Sequence, residues 1–453
     1  MTLNIAALLS RQPSGLPRYT SYPPANHFQP EGGPPLLDGL VSAARIAHKL
    51  SLYVHIPYCD RMCWFCGCHT KQTLRYEPVA DYVKVLAREI VLWGEKLGRK
   101  VPVSTLHLGG GSPSLLKRKE LELINDALHA AFDFSEDPEV SIEIDPSDVK
   151  DDTIANLKAF GMTRASIGVQ DFDPLVQAAI NRPQSFDLTH DVVKALRAAG
   201  IRSINIDALY GLPLQDTVKL ARTLMQVLVL EPDRIALFGY AHVPWMKPHQ
   251  KLIDESTLPD SETRIAQAAF ASEMIAGFGY RPIGIDHFAK PDDSLARAAK
   301  HGMLHRNFQG YTDDDAKVRL GFGPSSIGCF PGGYVQNEVA TGRYTTLIQA
   351  GRLALARGLA LNDDDRMRSY IIERLMCDFM VGFDDLVRRF GVKALPLISE
   401  ACSIASGEYG ELCWVDDAGL HIADEAQPVV RIVAAQFDAW LKPAETRRYS
   451  KVV

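Results

Sequence analysis

The sequence predicts an α/β fold, a partial parallel (β/α)6 TIM-like barrel preceded by an N-terminal arm and followed by a smaller domain. Short β-branched runs alternate six times with amphipathic stretches between residue 50 and about residue 290. Polar residues follow each of these runs, and the alternation stops near residue 365. Strand, helix and strand in strict order favour a parallel sheet with right-handed crossovers, which curls into a whole or partial barrel at this number of units.

The six predicted strands are short and apolar, and each of the first five precedes a run with helical spacing. The strands cover residues 51–56, 105–109, 139–144, 164–169, 203–208 and 234–239. The helices cover residues 79–97, 117–131, 151–160, 187–199 and 217–230. Gly200 directly follows the fourth helix, where glycine suits the left-handed conformation that ends many helices.

The flanking regions differ from the barrel in composition. Residues 1–50 are rich in proline, which predicts an extended arm rather than a helix. The barrel is expected over residues 51–360, and a mainly helical domain over residues 361–453. In that domain, helical stretches at 364–379 and 429–440 flank a hairpin at 412–415 and 420–422. This order is typical of a winged-helix fold, which we expect to cover the open side of the barrel.

Composition excludes several classes of function. The 453 residues carry a formal net charge of −6, which argues against a general nucleic-acid or anionic-membrane surface. The first residues lack the basic start and long apolar run of a signal peptide, and no apolar stretch is long enough to span a bilayer. We therefore expect a cytoplasmic protein without nucleic-acid or membrane partners, in a compartment where thiols stay reduced.

Four cysteines lie in the loop after the first predicted strand. Cys59, Cys63 and Cys66 have the spacing C-x3-C-x2-C, and Cys68 follows two residues later. Three thiolates can hold three irons of a four-iron cluster, which leaves the fourth iron open to a ligand that is not protein. A structural zinc site would need a second C-x2-C or H-x3-5-H pair, and a reducing compartment disfavours a disulfide. Spacing and context together favour the iron–sulfur cluster over both alternatives.

Candidate polar residues follow all six strands. In parallel α/β barrels the working residues lie at the carboxyl ends of the strands. Any one of these residues alone would be an ordinary turn residue, but six on one rim predict an active site. In strand order they are the cysteine loop, Gly109 to Gly111, Glu143 with Asp145, Gln170 with Asp171, Asp207, and Tyr240 with His242.

At this level of detail the sequence resembles a known superfamily. The cysteine loop, with Phe65 before its third cysteine, and Gly109 to Gly111 resemble the cluster loop and glycine-rich segment of radical S-adenosylmethionine (SAM) enzymes. Further segments are similar to one family within it, the oxygen-independent coproporphyrinogen III oxidases. They are residues 18–23, 53–57, Cys68, 168–172, 181–184, 205–207, 210–213, 284–288 and 305–311.

The resemblance implies two kinds of cofactor and a set of contacts. Cys59, Cys63 and Cys66 would hold a [4Fe–4S] cluster, and two SAM molecules would bind beside it. First-molecule contacts match Tyr53, the Phe65 backbone, Gly110, Glu143 and Ile327. Second-molecule contacts match Gly111, Ser112, Gln170, Arg182, Asp207 and Ala241. Cys68 would be a catalytic residue that does not bind the cluster, and a reducing thiol, a proton donor and a packing residue all fit it.

The resemblance also implies the reaction. Members of this family are oxidoreductases of haem biosynthesis that convert two propionates of coproporphyrinogen III to vinyl groups through a 5′-deoxyadenosyl radical, giving protoporphyrinogen IX. A one-electron donor, an electron acceptor and a monomeric state are implied as well. Since the substrate carries four carboxylates, cations should gather near it, and the candidates are Arg18, Lys247, Lys290, His305 and Arg306.

A rival interpretation comes from a related branch that shares the cluster loop but binds haem as a chaperone. Cys68, the arm at residues 18–23 and the segment at residues 307–310 favour the oxidase.

Overall fold

A computed structural model describes residues 15–441, so residues 1–14 of the predicted arm and 442–453 of the predicted C-terminal domain lie outside the described range. The six predicted strands are present and lie side by side in chain order, each parallel to the next. They are β1 (Leu50–Ile56), β2 (Val103–Gly110), β3 (Glu139–Ile144), β4 (Arg164–Gln170), β5 (Ser203–Tyr210) and β6 (Arg234–Gly239). The prediction of a parallel α/β sheet is confirmed.

Helices follow the strands as predicted, with ends that differ from the predicted ones by at most two residues. They are α1 (Glu77–Leu97), α2 (Arg118–Ala131), α3 (Thr153–Ala159), α4 (Phe186–Ala198) and α5 (Thr217–Val229), and α6 (Ser261–Gly277) follows β6. Side-chain caps fix several starts: Ser185 accepts a hydrogen bond from Leu188 N at α4, and Asp216 from Lys219 N at α5. Between residues 15 and 441, no helix is both long enough and apolar enough to cross a membrane.

The sheet extends beyond the six predicted strands on both sides. The strand Arg319–Phe322 lies parallel to β1, and antiparallel strands continue outward from it. These are Ile327–Phe330, Gly333–Asn337, Leu355–Ala360 and Gln29–Pro30. On the other side His287–Ala289 pairs antiparallel with β6, and Arg281–Ile283 forms the edge. The result is a mixed sheet of thirteen strands with two edges.

Smaller elements connect these parts. The short strands are Tyr58–Cys59, Lys71–Gln72, His305–Asn307 and Gly310–Thr312, and the short helices are Pro174–Ala179, Ser294–Lys300 and Thr341–Gln349.

The prediction of an extended arm over residues 1–50 is wrong for part of its length. Gly33–Ile46 is a helix of fourteen residues, and Pro34 and Pro35 lie in its first turn. Proline is tolerated there because the first N–H groups of a helix have no partner within it, so a proline pair can open a helix as well as prevent one.

The C-terminal domain contains the predicted hairpin, Cys413–Val415 with Gly419–Ile422, and a third strand, Met380–Gly382, beside it. Its helices are Asp363–Asp378, Phe383–Phe390 and Leu395–Ser406. The predicted helix over residues 429–440 is wrong, since only Arg431–Ala434 is α-helical, between two 3-10 turns. Pro428 lies in the first 3-10 turn, and the chain becomes extended at Asp438. The apolar spacing therefore continues over residues 429–440 although no single helix spans them.

Two large hydrophobic cores and two smaller ones lie within residues 15–441. The largest core packs around the sheet, with buried residues from Leu40 to Leu355. The second large core belongs to the C-terminal domain, and it also contains Leu16, Tyr19 and Tyr22. The beginning of the arm is therefore part of the C-terminal domain's core, although residue 22 and residue 367 are far apart in the chain.

One buried carboxylate joins α1 to the strand beside β1. Glu89 accepts hydrogen bonds from Gly323 N (2.7 Å), Asn337 Nδ2 (2.6 Å) and Tyr344 Oη (2.6 Å), and it is fully buried. Burial raises the pKa of Glu89 to about 7, while these donors lower it. If the carboxylate is removed, water cannot replace it as the acceptor for these three buried donors.

We expect Glu89→Gln to lower the free energy of unfolding by about 2 kcal/mol, because an amide adds donors of its own and leaves buried N–H or O–H groups unpaired. Urea denaturation measures the change. Glu95→Gln on the same helix is the control, since its carboxylate is exposed and pairs only with Arg88. Equal stability of the two variants would show that the buried network contributes nothing.

Candidate active site

The cysteine loop is fixed to the protein at both ends. The strand Tyr58–Cys59, directly after β1, pairs in parallel with Lys71–Gln72, which closes the loop. In the middle of the loop, Trp64 N donates to Ile180 O (2.9 Å), and the amide of Asn181 donates to another loop carbonyl (2.9 Å). These hydrogen bonds hold the loop at the carboxyl end of β1, where the sequence predicted it.

The thiols in this loop are free, and donors surround their sulfur atoms. Arg182 Nη1 lies 3.4 Å from Cys63 Sγ, and Cys68 N donates to Cys66 Sγ (3.3 Å). In iron–sulfur proteins, hydrogen bonds of this kind to the cysteine sulfurs tune the reduction potential of the cluster.

The three predicted ligands differ in acidity. Burial raises the pKa of Cys59 to about 12, although the hydroxyl of Thr70, 3.1 Å away, acts in the opposite direction. The pKa of Cys66 falls to about 7, chiefly because the Cys68 thiol hydrogen-bonds to its sulfur. The thiolate is the form that binds metal, and of these three cysteines Cys66 is the one whose pKa is lowered, while burial raises the pKa of Cys59 and Cys63.

The donor set fits a cluster. Among residues 15–441, no three His, Cys, Asp or Glu side chains are close enough together to hold one metal ion. A four-iron cluster needs no such convergence, because each thiolate binds a different iron. Three free thiols in a fixed loop, with donors at their sulfurs, match what such a cluster requires.

The glycine segment allows β2 to end against β1. Gly110 has φ +109°, and a Cβ there would lie 2.3 Å from the ring of His55. A Cβ on Gly109 would lie 2.5 Å from a carboxylate oxygen of Glu143, and Gly111 N donates to Ile56 O (2.7 Å). A side chain at these glycines would therefore collide with the protein itself, before any cofactor is considered.

Glu143 is linked to two other predicted contact residues, directly to Gly110 and through His107 to Tyr53. Its Oε2 accepts from Gly110 N (2.9 Å), and its Oε1 lies 3.1 Å from His107 Nε2. The ring of Tyr53 stacks on His107 with centroids 5.8 Å apart. Burial would raise the pKa of Glu143, but His107 and Gly110 hold it below its usual value. Glu143 is thus an anionic acceptor at the carboxyl edge of the sheet.

His55 is a site residue that the sequence analysis missed. Its Nε2 lies 2.8 Å from the carbonyl oxygen of His69 and must donate to it, so its Nδ1 accepts from Tyr53 Oη (2.9 Å). Burial lowers the pKa of His55 to about 4, which keeps the ring neutral. Its spacing of two residues from Tyr53 puts both on one face of β1, a signal that the sequence contained.

Arg182 connects the cysteine loop to β4. Its Nη1 pairs with Asp145 Oδ2 (2.9 Å) besides contacting Cys63, and its Nη2 donates to Gly168 O (2.7 Å). A Cβ on Gly168 would lie 3.0 Å from Arg182 and 3.2 Å from the amide of Gln170, so these two predicted residues are neighbours. Asp145 and Cys63 together keep the pKa of Arg182 above its usual value despite burial.

Two further predicted residues have side chains that hydrogen-bond within the protein. The hydroxyl of Ser112 donates to the carboxylate of Asp148 and is buried. Asp207 accepts from Asn205 Nδ2 (2.7 Å). Burial, followed by the charge of Glu143, raises the pKa of Asp207 to about 6. Glu143 and Asp207 are therefore close enough to repel each other.

Gln250, which the sequence analysis did not select, links Phe65 to Ala241. Its Nε2 donates to both carbonyl oxygens (3.0 and 3.2 Å), and its Oε1 accepts from Val243 N (2.6 Å). The residue is 1% exposed. Nothing in the sequence near residue 250 marks this role, since a glutamine in a loop is most often solvated.

Neighbours of Gln250 hold the end of the cysteine loop. Lys247 Nζ donates to Cys68 O and His249 Nε2 to Cys66 O, both at 2.8 Å. The backbone of Cys68 is fixed in this way while the residue stays exposed.

The remaining predicted contact, Ile327, begins the strand Ile327–Phe330. The strand Arg319–Phe322 separates it from β1, which contains Tyr53. Gly321 pairs with Tyr53 across the sheet, and a Cβ on Gly321 would lie 3.0 Å from the Ile327 backbone. Every predicted contact residue lies in one of the strands β1 to β5, in the strand Ile327–Phe330, or in the segments that follow β1, β2, β4 and β6.

The predicted substrate cations divide into different regions. Arg18 Nη2 donates to Gly239 O (3.0 Å) at the end of β6, so the arm reaches the candidate site. Lys290 Nζ lies 3.8 Å from Asp233 Oδ1, directly before β6 begins, and is at the opposite edge. His305 pairs with a glutamate of the C-terminal domain (3.1 Å).

A parallel sheet that presents such a cysteine loop at its carboxyl edge is the architecture of a radical SAM domain, and residues 53–224 match the model of the radical SAM superfamily. The chain is 44% identical over 425 residues to an oxygen-independent coproporphyrinogen III oxidase of Paracoccus denitrificans, covering 94% of each chain. It is 44% identical over 430 residues to the one of Bradyrhizobium diazoefficiens, covering 95% of this chain and 96% of the relative.

A solved structure agrees with these matches. Coproporphyrinogen III oxidase (HemN) from Escherichia coli, described as a radical SAM enzyme, superposes with a TM-score of 0.90 at 34% identity, over 96% of this chain and 99% of that one. The chain belongs to the family of oxygen-independent coproporphyrinogen III oxidases.

We expect Gln250→Leu to loosen the cysteine loop, because Phe65 and Ala241 each lose a buried hydrogen bond. Iron should leave the reconstituted protein several-fold faster, measured by transfer to a chelator. Gln349→Leu, at an exposed position, is the control. The same release rate in both variants would exclude a bridging role for Gln250.

We expect His55 to make stability depend on acidity. The unfolded chain takes up this proton near pH 6.5 and the folded chain only near pH 4, so stability falls as the pH drops between these values. The loss amounts to about 3 kcal/mol from this residue. Urea denaturation of cluster-free protein at pH 7 and pH 4.5 should show a smaller difference for His55→Gln than for the unsubstituted protein. An unchanged difference would contradict the assignment.

Proposed function

We propose that this protein catalyses the anaerobic oxidative decarboxylation of two propionate side chains of coproporphyrinogen III to vinyl groups, giving protoporphyrinogen IX in haem biosynthesis. The observation that carries the proposal is the fixed loop of three free thiols at the carboxyl edge of the sheet. It occurs in a chain that matches, over nearly its whole length, relatives that bear this enzyme's name.

Cys59, Cys63 and Cys66 would hold a [4Fe–4S] cluster, with SAM bound beside it. Bound there, the cluster and SAM would supply one-electron radical chemistry at a propionate side chain. Tyr53, the Phe65 backbone, Gly110, Glu143 and Ile327 would contact one SAM molecule. Gly111, Ser112, Gln170, Arg182, Asp207 and Ala241 would contact a second.

The chain's own groups suit these tasks. Glu143, held anionic by His107 and Gly110, can accept hydrogen bonds from an ammonium or a ribose hydroxyl. Arg182 keeps Nε for a further acceptor, since this buried atom has no hydrogen-bond partner within residues 15–441. Gln250 holds the carbonyl groups of Phe65 and Ala241, two predicted SAM contacts, in fixed positions.

Cys68 would act in catalysis without binding the cluster. Its backbone is held by Lys247, its thiol hydrogen-bonds to Cys66, and the residue is exposed. A thiol next to the cluster loop can serve there as a proton donor or as a reductant.

We propose a division of the chain into three parts. We assign residues 51–360 to the radical SAM domain, in which six parallel strands form a partial (β/α)6 barrel. We assign residues 361–453 to a winged-helix-like cover over its open side and residues 1–50 to an arm, whose described part contributes to the two large cores. The protein would work as a cytoplasmic monomer with a separate one-electron donor and electron acceptor.

The haem-binding alternative predicts a different outcome in one assay. The reconstituted protein, reduced with dithionite, is incubated anaerobically with SAM and coproporphyrinogen III. Vinyl-bearing product supports the oxidase. Tight haem binding without turnover would support the chaperone and overturn the proposal.

Substitution of the cysteines separates their roles. We expect Cys59→Ala, Cys63→Ala and Cys66→Ala each to lose most of the iron after reconstitution, because each removes a thiolate ligand. Cys68→Ala should keep its iron and still cleave SAM while forming vinyl product at least ten-fold more slowly. Cys402→Ala, at an exposed position far along the chain, is the control. Full turnover by Cys68→Ala, or loss of its iron, would contradict the role given to Cys68.

A further inference from the structure

A cavity of about 340 Å³ lies where three parts of the chain meet at the end of β6. It is bounded by the arm, by the sheet with α6, and by the C-terminal domain. Each part contributes at least one arginine to its lining: Arg18 from the arm, Arg264 from α6, Arg306 from the strand His305–Asn307, and Arg431 from the helix Arg431–Ala434. We call this the arginine cavity.

The lining carries an excess of positive charge. Against the four arginines stand two aspartates, Asp286 and Asp424. Asp286 already lies 2.6 Å from His287 Nδ1 and 3.5 Å from Arg306 Nη2, and Asp424 is exposed. Burial would raise the pKa of Asp286, but the charges of Arg306 and His287 hold it well below its usual range. Such a lining attracts an anion.

Arg306 has donors that the described chain leaves unused. Its side chain is 4% exposed, and neither Nε nor Nη1 has a hydrogen-bond partner within residues 15–441. Its guanidinium lies 4.4 Å from the centre of the Tyr311 ring, which fixes its plane. A buried guanidinium with free donors is unfavourable, and a carboxylate is the anion that fits its planar fork.

The arginines also act on one another. Burial, and after it the charges of Arg18 and Arg306, lower the pKa of Arg431 to about 10. A bound carboxylate would relieve this repulsion, while water could not.

Most of the remaining lining is apolar. Leu237, Phe238, Ile265 and Phe288 form walls between the arginines. A ligand that satisfies both kinds of surface has a hydrocarbon body and carboxylate ends, as the propionates of a tetrapyrrole do. The cavity also opens at the correct edge, because Tyr210 and Gly239 in its lining end β5 and β6, and Asp207 lies in β5.

We propose that the arginine cavity binds propionate carboxylates of the substrate that are not being decarboxylated. Strong ionic pairing stabilises a carboxylate in the ground state and therefore opposes its loss as carbon dioxide, so the cavity suits the side chains that remain in the product. Arg264 and Arg431 thereby become specificity residues. The identity of the ligand rests on the proposed function.

Coproporphyrin III, the oxidised and unreactive form of the substrate skeleton, tests this by fluorescence titration of the full-length protein. We expect Arg264→Gln and Arg431→Gln each to raise the dissociation constant at least ten-fold. The uncharged tetramethyl ester should bind the two variants and the unsubstituted protein alike. Arg118→Gln, whose side chain is 77% exposed, is the control and should bind as the unsubstituted protein does. Free-acid binding that is unchanged in both variants would overturn the proposal.

Two further measurements keep the test decisive if a glutamine variant folds poorly. Arg431→Lys keeps the charge and should recover part of the affinity. In the unsubstituted protein, added potassium chloride should weaken binding of the free acid and leave the ester unaffected. An affinity for the free acid that does not depend on salt would count against the cavity.

The two proposals fail in distinguishable ways. Arginine-dependent binding of coproporphyrin III without any vinyl product would remove the proposed function and leave the cavity as a carboxylate site. Vinyl product with an unchanged KM in Arg264→Gln and Arg431→Gln would leave the function and remove the cavity from it.

Discussion

The register of the parallel strands is the constraint on which the candidate site depends. Ile56 pairs with Gly110, Gly168 with Asp207, and Tyr210 with Gly239, so the strands end at one edge. A slip of one residue between neighbours would move every side chain to the other face of its strand. The cysteine loop, the glycine segment and Glu143 would then no longer meet. Backbone hydrogen bonds far from any reacting atom therefore determine where the chemistry can occur.

The sequence predicted what local patterns control. Strands with β-branched runs, helices with apolar spacing and polar residues at strand ends all have short-range signals, and between residues 50 and 290 the structure has them within a few residues of the predicted bounds. The sequence missed what depends on distant partners. His107 matters because Glu143 lies opposite it, and Gln250 matters because Phe65 comes within reach of its amide. Neither partner is near in the chain.

Two errors show how one signal can have two outcomes. Proline at residues 34 and 35 suggested an extended arm, yet proline is equally suited to the first turn of a helix, and only packing of Leu40 and Ala44 on the sheet decides between them. The strand Arg319–Phe322 is buried as β1 is, but its place beside β1 is set by pairing across more than 250 residues. Such long-range pairing has no local signature.

The arm has a consequence for how the protein is held together. Tyr19 and Tyr22 belong to the core of the C-terminal domain. Arg18, directly before Tyr19 in the chain, donates a hydrogen bond to Gly239 O at the end of β6. An anion in the arginine cavity would add contacts to all three parts at once. By thermodynamic reciprocity, if the anion stabilises the seated C-terminal domain by some factor, the seated domain binds the anion more tightly by that same factor. A substitution in the core of the C-terminal domain should therefore weaken the affinity for the anion rather than slow the chemical step.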